Sequence, residues 1–271
     1  MVVAKSSKDI KQLEHRKELG VFNIELQLLD FDVVDISKLE KDSGVNIVNV
    51  HTPLTKDYDF DIMDILEDNK YNYIRELFNC MNTWHKINVI VHYGKSCSNF
   101  DLLTSRIKSL LEINKNIDIC IENLPMMDID KKSGDTIINN FYYKGVIELI
   151  EKLRVCLSTN RIYAVLDTCH AIANINVNKD SSDAPHSLHN YFRDYAKYCN
   201  ICHFADCVNY GLEPSEHGIG FKTYEAFERV YELHSKYVSN ALLVIEMQEE
   251  DYMNCKNLKQ TLEYIRRYKN E

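Results

Sequence analysis

Short β-branched runs alternate with longer stretches of helical periodicity along this chain, and the alternation repeats eight times. The strand candidates are Val2–Ala4, Asn23–Leu28, Asn46–Val50, Asn88–Val91, Asp118–Ile121, Tyr163–Leu166, Asn200–Cys202 and Ala241–Ile245. The segments between them carry apolar residues at a spacing of three and four. In Phe100–Asn114, for example, Leu102, Leu103, Ile107, Leu110 and Leu111 form one stripe, with Asn99 and Asp101 as candidate caps. Tyr224–Tyr237 and Asn257–Tyr268 have the same pattern, and Gly20 and Gly44 are placed to terminate helices. Strands separated by helices cannot pair as hairpins, so the sheet has to be parallel. An open doubly wound sheet would show a glycine-rich phosphate turn after its first strand. Only Gly218-x-Gly220 comes near, late in the chain. The expected fold is therefore an α/β single (β/α)8 TIM barrel, one domain spanning residues 1–271.

Bulk composition limits the function classes. With 45% hydrophobic and 27% charged residues the chain has a globular composition. No apolar run reaches the roughly 20 residues of a membrane helix, and the apolar start Val2-Val3-Ala4 is too short for a secretory signal. The nine cysteines show no Cys-x2-Cys pair and several lie in apolar runs, so they read as reduced core residues. A cytoplasmic protein without a membrane partner is expected. The net charge of −9 lacks the basic balance usual in a nucleic-acid binder, although bound cations would offset part of it locally.

Chemistry gathers where the strands end. His51, His92, Glu122, Asp167, His203 and Glu246 close or follow strands three to eight, and His170 lies three residues beyond Asp167. A barrel brings its strand ends together on one rim, where such folds keep their active sites. With ten histidines and 41 acidic residues in the chain, one such coincidence means little, but six in succession carry weight. The carboxylates also follow apolar runs (Ile-Cys-Ile-Glu122, Val-Leu-Asp167, Val-Ile-Glu246), and a carboxylate at the end of a buried strand is costly unless paired or metal-bound. Imidazole and carboxylate are the donors that zinc, manganese, cobalt and magnesium take, so the implied cofactor is a divalent metal ion (Mn, Co, Mg or Zn). Each group also has a structural reading: ion-paired carboxylates, satisfied core histidines, and an ordinary solvated turn for Lys95, Ser96 and Ser98. The histidines away from strand ends, His15, His85, His186, His189 and His234, are expected on the surface.

The segments His51-Thr52-Pro53, His92-Tyr93-Gly94, Glu122-Asn123, Asp167-Thr168-Cys169-His170-Ala171, His203-Phe204-Ala205-Asp206 and Val244-Ile245-Glu246 together resemble the xylose isomerase-like barrel superfamily. That group holds sugar isomerases and epimerases and the DNA-repair nuclease endonuclease IV. The resemblance covers roughly residues 20–265, and Asp-Thr-Cys-His-Ala is its most specific piece. In the epimerase branch it implies one metal on Glu122, Asp167, His203 and Glu246. Glu122 and Glu246 would exchange the substrate proton through an ene-diolate, and His170 would contact substrate oxygens. In the nuclease branch it implies His51 and His92 on a second metal, Glu122 bridging two metals, and His170 helping to hold a third.

Two positions depart from the nuclease pattern. Glu213-Pro214-Ser215-Glu216-His217-Gly218 stands where that branch has Asp-Arg-His, leaving His217 as the candidate ligand, and Leu54 stands where it has a tyrosine. Tyr93, Lys95, Asn123 and Asp206 are candidate substrate-binding residues. The sequence expectation is a divalent-metal-dependent isomerase or epimerase acting on a sugar or sugar phosphate. The alternative is an endonuclease IV-like zinc phosphodiesterase acting on abasic DNA, the only case with a nucleic-acid partner. A non-catalytic metabolite-binding barrel is a third class. A homodimer is compatible with all three.

Overall fold

The computed structural model describes residues 1–53, 60–81, 83–125, 141–177, 187–207 and 217–270, without the side chains of residues 141, 142, 176, 177 and 217. The strands are β1 (Val2–Ser6), β2 (Asn23–Gln27), β3 (Asn46–His51), β4 (Ile87–His92), β5 (Ile117–Glu122), β6 (Ile162–Asp167), β7 (Cys199–Phe204), β8 (Asp206–Cys207), β9 (His217–Ile219) and β10 (Leu242–Ile245). Eight of them form a closed barrel in the order β1-β10-β7-β6-β5-β4-β3-β2, and β8 and β9 make a separate two-stranded ribbon. This is the (β/α)8 barrel expected from the alternation. The helices are α1 (Ile10–Glu18), α2 (Ile36–Ser43), α3 (Asp68–Cys80), α4 (Phe100–Ile113), α5 (Val146–Leu157), α6 (Thr168–Val177), α7 (Leu188–Tyr195), α8 (Tyr224–Tyr237) and α9 (Lys256–Asn270). None of the described helices is long and apolar enough to cross a membrane.

Contacts divide the chain into two compact units. One holds Lys5–Glu122 and Glu148–Tyr163. In it β2, β3, β4 and β5 pair in parallel, with Asn49 level with Asn88 and His92 level with Glu122. Side chains alternate along a strand, so Asn49 and His51 share a face of β3, Asn88 and His92 a face of β4, and Asp118, Cys120 and Glu122 a face of β5. Every residue of β4 and β5 is buried, which explains why these strands read as continuous apolar runs. Helix starts follow local chemistry: Asp9, Asp35 and Asn99 each accept a backbone N–H at the head of α1, α2 and α4. Gly44 ends α2 with φ +72°, which a side-chain-bearing residue adopts only at a cost.

The other unit holds Met1–Ala4, Asn123–Ile147 and Ala164–Glu271. There β1 pairs with β10, β10 with β7, and β7 with β6, all parallel, which sets Asp167, His203 and Val244 level with one another. Phe204, Phe221, Phe227 and Tyr231 fill the space beneath α8, with ring centroids 4.9–6.1 Å apart. His234 on α8 is buried and stacks on Tyr231, a correction to its expected place on the surface. The helical stripe puts it on the same side as Val230 and Tyr231, and burial outweighs its polarity.

Candidate functional site

Two groups of buried ligand-type side chains stand at the C-terminal ends of the barrel strands, one in each unit. In the first unit, His51, His92 and Glu122 are the last residues of β3, β4 and β5. Each offers a donor atom within 4.8 Å of the other two. The imidazoles of His51 and His92 meet edge to face at 5.0 Å. Nδ1 of His51 lies 2.8 Å from the carbonyl of Thr52, and Nε2 lies 3.1 Å from Oε2 of Glu122. A carbonyl can only accept, so Nδ1 carries a proton. The neutral ring then turns its Nε2 lone pair toward a carboxylate oxygen. Two acceptors at that distance need a proton between them, on the ring or on the carboxyl, or a metal ion. Nε2 of His92 is 3.9 Å from the same oxygen. Two imidazoles converging on one buried carboxylate, with one ring held by a backbone carbonyl, fit a divalent metal of the N/O-binding kind.

In the second unit, Asp167, His203 and Glu246 each place a donor atom within 4.8 Å of one another. Nδ1 of His203 is 2.5 Å from Oε2 of Glu246 and 3.9 Å from Oδ2 of Asp167. Asp167 ends β6 and also opens α6, because its Oδ1 accepts the N–H of His170 at 3.0 Å. The Asp-x-x-His spacing is thus an aspartate cap three residues ahead of its partner, and the first turn of α6 carries the imidazole back to the strand end. His170 is buried and its Nδ1 donates to the carbonyl of Asn123 at 2.8 Å, which makes Nε2 the ligand-type nitrogen. Cys169 joins Asp167 and His170 in a further group of three, a neighbour the sequence reading assigned only to the core. Burial, and then the charge of Asp167, push its thiol well above the usual range, so it stands beside the carboxylate as a neutral S–H.

The remaining candidates fall as follows. The ammonium of Lys95 lies 2.5 Å from Asp64, which is buried and also pairs with Lys70 at 3.1 Å. Asp61, in a β-bridge with His92, accepts the N–H of Gly94, and burial raises its carboxyl to about 6. Asp61 and Asp64 thus hold the segment after β4, a role the sequence reading missed. The pair forms a capping box at the 3-10 turn Ile62–Leu66, so Asp-x-x-Asp was the available signal. Burial raises Tyr93 to about 12, keeping its hydroxyl protonated. Asp206 opens β8, accepts the N–H of Cys207 at 2.9 Å, and is raised by burial. Both groups of the Asn123 amide bond to the backbone of Asp167, N–H to Oδ1 at 2.7 Å and Nδ2 to the carbonyl at 3.2 Å. His217 lies on β9 and its side chain is outside the described residues, as are Leu54 and Glu213–Glu216.

No protein-family model matches the sequence, and no curated protein is significantly similar to it. Solved structures do share its fold. Endonuclease IV from Thermus thermophilus aligns over 98% of this chain and 99% of its own, at TM-score 0.61 and 13% identity. A D-tagatose 3-epimerase-like protein aligns over 98% of each chain, at 0.54 and 16%. A sugar phosphate isomerase/epimerase from Parabacteroides distasonis aligns over 97% and 93%, at 0.52 and 12%. The chain therefore has the fold of the xylose isomerase-like barrels. At these identities the likeness establishes the architecture and leaves the reaction to be argued from the side chains.

Proposed function

We propose that this protein is a metal-dependent phosphodiesterase of the endonuclease IV type, with His51, His92 and Glu122 among its metal ligands. The observation that carries this reading is the pair of buried imidazoles on Glu122. A single-metal isomerase would need Glu122, Asp167, His203 and Glu246, and would have no use for His51 and His92 closing on the same carboxylate. Bound divalent ions would stabilise the charge that develops on a phosphodiester as it is attacked and would make water acidic enough to attack at neutral pH. The chain's own contribution is placement. His51 is oriented by Thr52, His170 by Asn123, and Asp167 by its cap on α6. Asp61 and Asp64 fix the segment that follows His92. His170, with Nε2 as its ligand-type nitrogen, is suited to hold a metal.

The single-metal isomerase or epimerase is the second reading, favoured by the net charge of −9 and by Glu213–Gly218 in place of the Asp-Arg-His element. Metal content per chain and nicking of duplex DNA containing an abasic site separate the two. Two or more zinc ions with nicking support the phosphodiesterase. One manganese, cobalt or magnesium ion per chain, and no nicking after full zinc loading, would rule it out in favour of sugar chemistry through Glu122 and Glu246.

A further inference from the structure

Past the end of β6 the backbone is held by side chains that do the work of a sheet ladder. The amide of Asn123 accepts the N–H of Asp167 at 2.7 Å and donates to its carbonyl at 3.2 Å, both bonds that a neighbouring strand would make. One residue on, Oγ1 of Thr168 donates to the carbonyl of Ala205 at 2.7 Å and accepts the N–H of Ala205 at 3.1 Å. Asn123 and Thr168 are fully buried. The first staple holds the backbone of Asp167. The second ties the residue after Asp167 to the one two beyond His203. The carbonyl of Asn123 also selects the tautomer of His170.

We propose that Asn123 and Thr168 are positioning residues for the Asp167, His170 and His203 ligand group. They set the spacing of these side chains before any metal arrives, and they do not touch substrate. The sequence reading offered Asn123 as a substrate contact. Its burial and its two bonds to Asp167 assign it to this other task. Metal ligands need placement to a fraction of an ångström, and a strand end cannot supply it where ladder hydrogen bonds stop. Extending the ladder by side chains removes that freedom without adding a charged group near the ions.

The inference rests on the metal-binding reading above, and the test separates the two. Protein stripped of metal is titrated with Zn2+ or Co2+, and the thermal midpoint of the metal-free protein serves as the folding control. T168V, which keeps the shape and loses the hydroxyl, and N123A are expected to lower metal affinity by about 10- to 100-fold. T168S restores the hydroxyl and should bind close to wild type. Should T168V not fold, N123D carries the test: it keeps the acceptor for the Asp167 N–H but turns an oxygen toward the Asp167 carbonyl, and about tenfold weaker binding is expected. The proposal is overturned if T168V and N123A melt lower yet hold metal as tightly as wild type, or if T168S falls as far as T168V. If wild type takes up no metal, the metal-binding reading fails and this one with it. If wild type binds and the variants match it, only this one fails.

Discussion

The two ends of β5 carry buried carboxylates on the same face, and their surroundings differ in kind. Asp118, near the start of the strand, is 3% exposed and lies 3.3 Å from Lys86 and 3.4 Å from Arg161. Glu122, at its end, is 1% exposed and has His51 and His92 against it. The partners of Asp118 are permanently cationic. Arg161 is further anchored by donating to the carbonyls of Leu111, Asn114 and Ile117. The partners of Glu122 are cationic only when protonated, and one ring already spends its Nδ1 proton on a carbonyl. Burial alone therefore does not mark a functional acid. Asp118 faces a lysine and an arginine, and Glu122 faces two imidazoles of the kind that also bind metal ions. Barrels usually keep stability at the N-terminal rim and chemistry at the C-terminal rim, and the proposed metal site puts Glu122 on the latter.

The largest expected effect is at the C-terminal rim. E122Q keeps the shape and removes the charge on which His51 and His92 converge, so metal affinity should fall by more than about a hundredfold, beyond what loss of a supporting group causes. The metal-free protein should melt close to wild type, because glutamine has the shape of the glutamate it replaces. Undiminished metal content in E122Q after dialysis would break the comparison outright. The mirror experiment is D118A. Breaking a buried ion pair costs about 3–5 kcal/mol, reduced here toward about 2–3 kcal/mol because Lys86 is largely solvated. Urea unfolding should show that loss while metal content per chain stays unchanged. A stable D118A that loses metal would reverse the roles assigned to the two ends.

Much of this contrast was legible in the sequence. All eight barrel strands lie where β-branched runs predicted them, because a strand buried on both faces leaves a near-continuous apolar signature. The ligand-type residues were visible because each terminates such a run. What could not be read were the partners. Nothing in Ile117–Glu122 says that Asp118 meets cations and Glu122 meets histidines, since Lys86, Arg161, His51 and His92 arrive from other strands and connections through the barrel register. The place of Asn123 after Glu122 was legible, and its bonds to Asp167 were not. Asp61 and Asp64 were missed for the same reason. They follow no strand, and their importance comes from Gly94 and Lys95 across the fold.

His234 sharpens the comparison as a buried ionisable group far from any strand end. Burial in α8 pushes its imidazole down to about 4, against an unfolded value near 6.5. The folded state therefore holds the neutral ring. The stability associated with it is complete above pH 6.5 and is lost progressively as pH falls from 6.5 toward 4, where the unfolded chain takes up a proton that the folded chain refuses. Between pH 7 and pH 5 the loss is about 2 kcal/mol. H234F keeps the ring stacked on Tyr231 and cannot protonate, so its advantage over wild type in urea unfolding should grow by that amount over the same interval. Parallel curves for the two proteins would show that burial at this position does not govern the charge.

The smallest effect tests how the charge of Asp118 is shared between its two cations. The side chain of Lys86 is 70% exposed and that of Arg161 25%. An exposed ammonium gains little from an ion pair because water already solvates it, so K86M should cost less than about 1 kcal/mol. Arg161 is planar, donates to three carbonyls as well as facing Asp118, and closes the ends of α4 and β5, so replacing it should cost more than K86M. If K86M in urea unfolding proves as damaging as D118A, the solvated lysine is the main counter-charge and the N-terminal end of β5 is held by electrostatics at the surface. If K86M is near neutral and D118A is not, the carboxylate is held from within, by a guanidinium the fold has already fixed.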